Sequence, residues 1–125
     1  MAAMEVLVEA AGEGTSAAAL GDRLELGDTS ERAHREAGAR AAELGVDRLY
    51  LFGTEVEGVE AGALEAGMPA SRVRIYESKT ALVETLRKEL DGPAVLLVKG
   101  SRGMRMEEVV ELLTAEAPAS KSAEA

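Results

Sequence analysis

Short apolar runs alternate four times with segments of helical periodicity, and glycine or a capping residue separates each from the next. Nothing else in the chain restricts its fold as much, because strand-then-helix units repeated in this way close into a parallel sheet through right-handed crossovers. "AAALGD" (17–22) ends a first strand. "DTSERAHREAGARAAELG" (28–45) follows as a helix, with Asp28 placed to cap it, Glu31 three residues later, and Ala33, Ala37, Ala41 and Leu44 recurring on one face. Gly45 stops it. "DRLYLFG" (47–53) reads as the second strand. "TEVEGVEAGALEAG" (54–67) reads as a helix that opens with Thr54 and Glu57 at capping-box spacing and closes with Gly67 before Pro69. Gly58 and Gly62 weaken that helix by about 1 kcal/mol each relative to alanine.

"RVRIY" (72–76) is a third strand, and its alternation and shortness place it at a sheet edge. The helix over 78–92 carries Leu82, Val83, Leu86 and Leu90. "AVLLV" (94–98) has the unbroken apolar character of a central strand buried on both sides. Met106, Val109, Val110 and Leu113 give the last helix its apolar stripe. "AAMEVLVEAAG" (2–12) predicts an extra helix in front. The residues from 115 to 125 have little to bury and are expected to be disordered, leaving one domain over 1–114. The fold class is therefore α/β: an open, mostly parallel, Rossmann-like sheet with helices on both faces. In the order 3-2-1-4 the chain reverses direction between the first and fourth strands, and ligands favour the crevice at the carboxyl ends of those strands.

Composition narrows the function. A chain of 125 residues can bury a core without metals or disulfides, and it has no cysteine to form either a disulfide or a thiolate metal site. The amino-terminal residues lack the basic and apolar regions of a signal peptide, which fits a cytoplasmic protein. A net charge of −9 opposes broad binding to nucleic acid and to anionic membranes, so any anion site must be local. Tyr50, Tyr76 and Phe52 are the only aromatic residues, too few for a stacking platform.

Two segments meet at the predicted crevice. In "VKGSRGMRM", Gly100 and Gly103 permit tight turns and the following helix presents unpaired N–H groups. Ser101 can cap that helix or donate its hydroxyl, Arg102 can hold a carboxylate bidentately, and Lys99 adds a point charge. The same residues are equally readable as a sharp strand-to-helix turn whose charges offset an acidic protein. They are not a P-loop, since the lysine precedes the glycine. In "LGDRLELGD", Asp22 could accept from a ribose hydroxyl, a ligand ammonium or Arg102, or it could be a turn residue. His34, the sole histidine, could position a ligand, although a place facing solvent or packed between helices explains it as well; with no second histidine it builds no transition-metal site. Met104 and Met106 fit packing roles.

"LGDRLELGDTSERAHREAG", followed after two strand-helix units by "VLLVKGSRGMRMEEVVELL", resembles the C-terminal domain of the Mur ligase family, of the MurF type, over nearly the whole ordered chain. Arg23 stands where the family pattern has methionine. The resemblance implies a part in peptidoglycan synthesis, in an ATP-dependent ligase that forms an amide bond between D-alanyl-D-alanine and a UDP-muramoyl-tripeptide. It further implies that this domain closes over a central ATPase domain and presents the dipeptide. Lys99, Gly100, Ser101 and Arg102 match the last motif and are expected at the substrate, while Asp22 and His34 match the first and are expected at the nucleotide side. ATP and Mg would be held by the parent enzyme, with no tight binding and no activity in this chain alone. The residues by themselves leave a second reading open, a stand-alone or engineered Rossmann-like module with a small-anion site and no catalysis.

Overall fold

A computed structural model describes residues 2–22, 30–90, 92–100 and 104–116. Helix α1 (Ala2–Ala11) leads into strand β1 (Thr15–Gly21), followed by α2 (Ser30–Leu44), β2 (Arg48–Phe52), α3 (Glu57–Glu65), β3 (Val73–Tyr76), α4 (Lys79–Glu89), β4 (Ala94–Lys99) and α5 (Glu107–Glu116). A short turn of 3-10 helix, Ala70–Arg72, precedes β3. The strands form one all-parallel sheet in the order β3-β2-β1-β4. Among the described residues no helix is long and apolar enough to cross a membrane.

Strand β1 is the spine of the domain, and its alternating side chains feed two cores. Ala18 and Leu20 join Met4 and Leu7 of α1, Ala41 of α2 and Val59 of α3 on one face. Ala17 and Ala19 meet Leu82, Val83 and Leu86 of α4 and Val109 of α5 on the other. Three successive alanines, all fully buried, keep both helical layers close to the sheet.

Helix ends follow local chemistry. Gly45, at φ 83°, ends α2 while Val46 N donates to Ala41 O at 3.0 Å; Gly67, at φ 106°, ends α3 while Met68 N donates to Ala63 O at 2.9 Å. Ser78 caps α4, its Oγ accepting from Ala81 N at 3.0 Å. The amino end of the sheet is tied by Ser16, whose N donates to Asp47 Oδ2 at 2.9 Å while Asp47 N donates back to Ser16 Oγ at 3.0 Å.

Several expectations need correction. Strand β4 is not central: it lies at the edge beside β1, its apolar residues half-buried and both ends exposed. An apolar run reports its two faces, and both are partly covered here, but it says nothing about whether a neighbour pairs along each side. The capping box at Thr54 does not form, because α3 starts at Glu57 with no side-chain cap at Val56. The buried seam of α2 runs through His34, Gly38 and Ala41, while Ala33, Ala37 and Leu44 are half-buried at its flanks. Val110 is 45% exposed, and Leu112 packs in its stead beside Val109 and Leu113. Helix α5 includes Ala115 and Glu116; the remainder of the expected tail, and the expected cap Asp28, lie outside the described residues.

Among the described residues Tyr50 is the largest fully buried side chain. Its hydroxyl donates to Glu89 Oε1 at 2.7 Å, Arg48 lies 3.4 Å from the same carboxylate, and the Tyr76 ring stacks at 6.1 Å. Burial above all, then the hydrogen bond to and the charge of Glu89, hold the phenol far above its usual range. The folded state thus binds this proton more tightly than the unfolded one. The corresponding stability is full below the unfolded value of about 10 and is lost as the pH climbs from there toward the folded value. Tyr50→Phe is expected to lower stability at neutral pH by roughly 1–2 kcal/mol and to flatten the decline in melting temperature above about pH 10. Burial raises Tyr76 as well, so a shallower slope remains in the variant. Thermal melts of both proteins across the alkaline range check this, and parallel declines would contradict it.

Candidate functional site

The sheet brings the ends of β1 and β4 side by side. Leu20 is in register with Lys99, and the next residues, Gly21 and Gly100, pass so closely that a Cβ on Gly100 would lie 3.2 Å from Gly21 Cα. Met106, 4% exposed, completes this junction: a Cβ on Gly21 would meet its Cγ at 2.8 Å, and a Cβ on Gly100 would meet the same atom at 2.6 Å. A side chain at either glycine would displace Met106 from this wedge. Met106 therefore packs, as its sequence context indicates, and it does so at the base of both loops.

Asp22 leaves β1 directly after Gly21 and is 3% exposed. Its Oδ2 accepts from Thr54 N at 3.0 Å and its Oδ1 from Val56 N at 2.9 Å. These N–H groups belong to the turns that lead into α3, so a carboxylate from a different loop holds the approach that Thr54 and Glu57 were expected to cap. Gly53, at φ 124°, lets the chain pass over it, since a Cβ there would fall 2.4 Å from Asp22 Oδ1. Asp22 is thus a bolt between the loop after β1 and the loop after β2.

His34 is 2% exposed and faces the same end of the sheet. It lines a narrow apolar cleft with Leu20, Gly21, Val59, Lys99 and Gly100. The backbone of α3 comes close here: a Cβ on Gly58 would lie 2.9 Å from His34 Cβ. The structure thus gathers His34, Lys99 and Gly100 at one crevice, with Lys99 and Gly100 exposed, while the Asp22 carboxylate turns to the loop after β2. Ser101 and Arg102, together with residues 23–29 of the first loop, lie outside the described residues.

On the other side of β2 stands a cluster that sequence reasoning missed. Lys79 Nζ donates to Glu108 Oε1 at 2.7 Å and to Arg105 O at 3.1 Å, and it sits 5.5 Å from the centre of the Phe52 ring. Arg105 Nε lies 3.2 Å from the second oxygen of Glu108. The hydrogen bond from Lys79 is the first cause, and its charge a further one, that holds the Glu108 carboxyl below its usual range. A signal was available in the sequence: a lysine in the first turn of a helix opposes the helix dipole unless a tertiary partner holds it.

The exposed lysine and the backbone around Gly100 suit an anion better than a metal ion, and among the described residues no group of three or more histidines or acids is placed to hold a metal.

The parallel sheet, the crevice at β1 and β4, and the two motifs that flank it define a Mur ligase C-terminal domain: the chain belongs to the Mur ligase family, whose model for "Mur ligase, glutamate ligase domain" matches residues 1–102. Within that family its relatives are MurF enzymes. The UDP-N-acetylmuramoyl-tripeptide–D-alanyl-D-alanine ligase of Bacillus subtilis is 34% identical over 119 residues, 95% of this chain and 26% of that protein. The corresponding ligase of Escherichia coli is 36% identical over 115 residues, 90% of this chain and 23% of that protein. Among solved structures, MurF from Acinetobacter baumannii superposes with a TM-score of 0.73 at 26% identity, covering 90% of this chain and 24% of that one. MurF from Thermotoga maritima in complex with ADP superposes with a TM-score of 0.69 at 25% identity, covering 90% and 25%. The chain thus spans about a quarter of the length of these relatives.

Proposed function

We propose that this domain serves an ATP-dependent ligase of peptidoglycan synthesis in the cytoplasm, closing over a central ATPase domain and presenting D-alanyl-D-alanine to an activated UDP-muramoyl-tripeptide. The observation that supports it best is the contact of Gly21 with Gly100, which brings the ends of β1 and β4 together beside the exposed Lys99. In this reading the terminal phosphoryl group of ATP, with Mg, passes to the tripeptide carboxylate to give an acyl phosphate and ADP, in the parts of the enzyme that this chain does not include. The amine nitrogen of the dipeptide then bonds to the acyl carbon as phosphate leaves.

The chain's own residues bind and orient. Lys99, the backbone of Gly100, the Ser101 hydroxyl and the Arg102 guanidinium hold the carboxylate of the dipeptide, leaving its amine free to point at the neighbouring domain. Asp22 and His34 form the nucleotide side, Asp22 by fixing the loop over Gly53 and His34 by closing the cleft beneath it. Neither can supply phosphate activation, so the domain by itself is inactive and holds ATP only weakly.

An amide NMR titration of the purified chain with D-alanyl-D-alanine, and separately with ATP and magnesium, tests the reading. The dipeptide is expected to shift the resonances of Gly21, Lys99 and Gly100, and Arg102→Ala to weaken the response about tenfold or more with little change in melting temperature. A response to the dipeptide that survives Arg102→Ala unchanged would overturn the assignment. So would silence both in the chain and after the central domain is supplied.

A further inference from the structure

We propose that Lys79 is a positioning residue for the entry to α5 and, through Met106, for the Gly21–Gly100 contact, an inference that rests on the ligand role just assigned to Lys99 and Gly100. Lys79 is the first residue of α4, where a positive charge is electrostatically unfavourable, and its side chain is only 15% exposed. Such a lysine is held for its partners, and both hydrogen-bond partners lie at the entry to α5: the carbonyl of Arg105 and the carboxylate of Glu108.

Arg105 is the only non-glycine residue among those described with a positive φ, at 52°, a conformation that a residue with a Cβ disfavours. Three contacts hold it there. Lys79 Nζ and Glu108 N, the latter at 3.0 Å, both donate to its carbonyl, and Glu108 accepts from its guanidinium. The next residue is Met106, the wedge on Gly21 and Gly100. The geometry therefore forms a chain of contacts: Lys79 fixes the peptide after Arg105, that peptide aims Met106, and Met106 seats the glycines from which both loops depart. Because the Phe52 ring lies under the amine, the latch also rests on the carboxyl end of β2, so the turn is referenced to the sheet interior. Lys79 touches no ligand in this scheme; it acts through Arg105 and Met106.

The test uses the full chain with Lys79→Met, which keeps an unbranched side chain of similar length without the amine, and Lys79→Arg, which keeps the charge. In the free protein, Lys79→Met is expected to weaken the strong intraresidue HN–Hα NOE of Arg105 that marks positive φ and to shift the amides of Gly21, Lys99 and Gly100. The amides of Thr54 and Val56, tied to Asp22 on the opposite face, should hold still. Affinity for D-alanyl-D-alanine should fall about fivefold or more, with partial recovery in Lys79→Arg. Should Lys79→Met fail to fold, Glu108→Gln loosens the same latch and is read in the same way. Unmoved Arg105 and glycine signals in these variants would overturn the proposal. A wild-type chain that ignores the dipeptide both by itself and after the central domain is supplied would overturn only the ligand role, since the NOE and the glycine shifts decide the role of Lys79 without any ligand.

Discussion

Alanine at Gly62 or at Gly38 is expected to destabilise the domain by roughly 3 kcal/mol, lowering its melting temperature by about 10 °C. Helix propensity alone favours the opposite, a gain of about 1 kcal/mol from glycine to alanine. Geometry decides the sign. A Cβ on Gly62 would lie 2.0 Å from Arg35 O, and one on Gly38 would lie 1.9 Å from Val59 O and 2.8 Å from Ala63 N. These neighbours are backbone atoms of the facing helix, so no rotamer can relieve the overlap and α2 and α3 must move apart. The separation would also loosen Val59 and Ala63 from the core that they share with Ala41. Thermal or urea denaturation of the two single variants measures the effect, and a rise in stability for either would contradict the close approach.

Asp22→Ala is expected to cost a similar amount, roughly 3 kcal/mol, because it strips the acceptors from two N–H groups in the turns that lead into α3 and leaves a cavity at a site only 3% exposed. Asp22→Asn should cost less, since its side-chain oxygen still accepts from one of the two. Amide exchange at Thr54 and Val56 should accelerate in both variants, most in alanine, while exchange in β4 follows only the global change in stability. Exchange at those two amides that tracks global stability alone would show that the carboxylate does not hold them. Any loss of ligand response in Asp22→Ala must accordingly be read against its stability, unlike the loss expected in Arg102→Ala.

The order of elements, the edge position of β3 and the adjacency of the loops after β1 and β4 were all legible in the chain, because period and punctuation determine them. What escaped depended on partners distant in sequence. The glycines of α3 look like weaknesses along the chain and prove to be contact points for α2. Thr54 and Glu57 have capping-box spacing, yet Asp22 holds the approach to α3 from 32 residues away. His34 belongs to the packed side of α2, a reading that the alanine stripe does not reveal, and it borders the cleft as well. For the candidate site, Lys99 and Gly100 were found from the glycine spacing and the switch of chain direction, whereas Lys79 was hidden because its partners, Arg105 and Glu108, lie on another helix-sheet unit.

The position of β4 has a practical consequence for handling the protein. Among the described residues no strand pairs along its outer side, and Val95, Leu96, Leu97 and Val98 stand half-covered beside that row of open backbone groups. An open border of this kind is a template for pairing between copies, which the mutual repulsion of chains carrying −9 each opposes. Colloidal behaviour should then depend on ionic strength and acidity more than on thermal stability: dilute buffer near neutrality preserves monomers, while concentrated salt or a pH near 4.7 invites precipitation of molecules that are still folded.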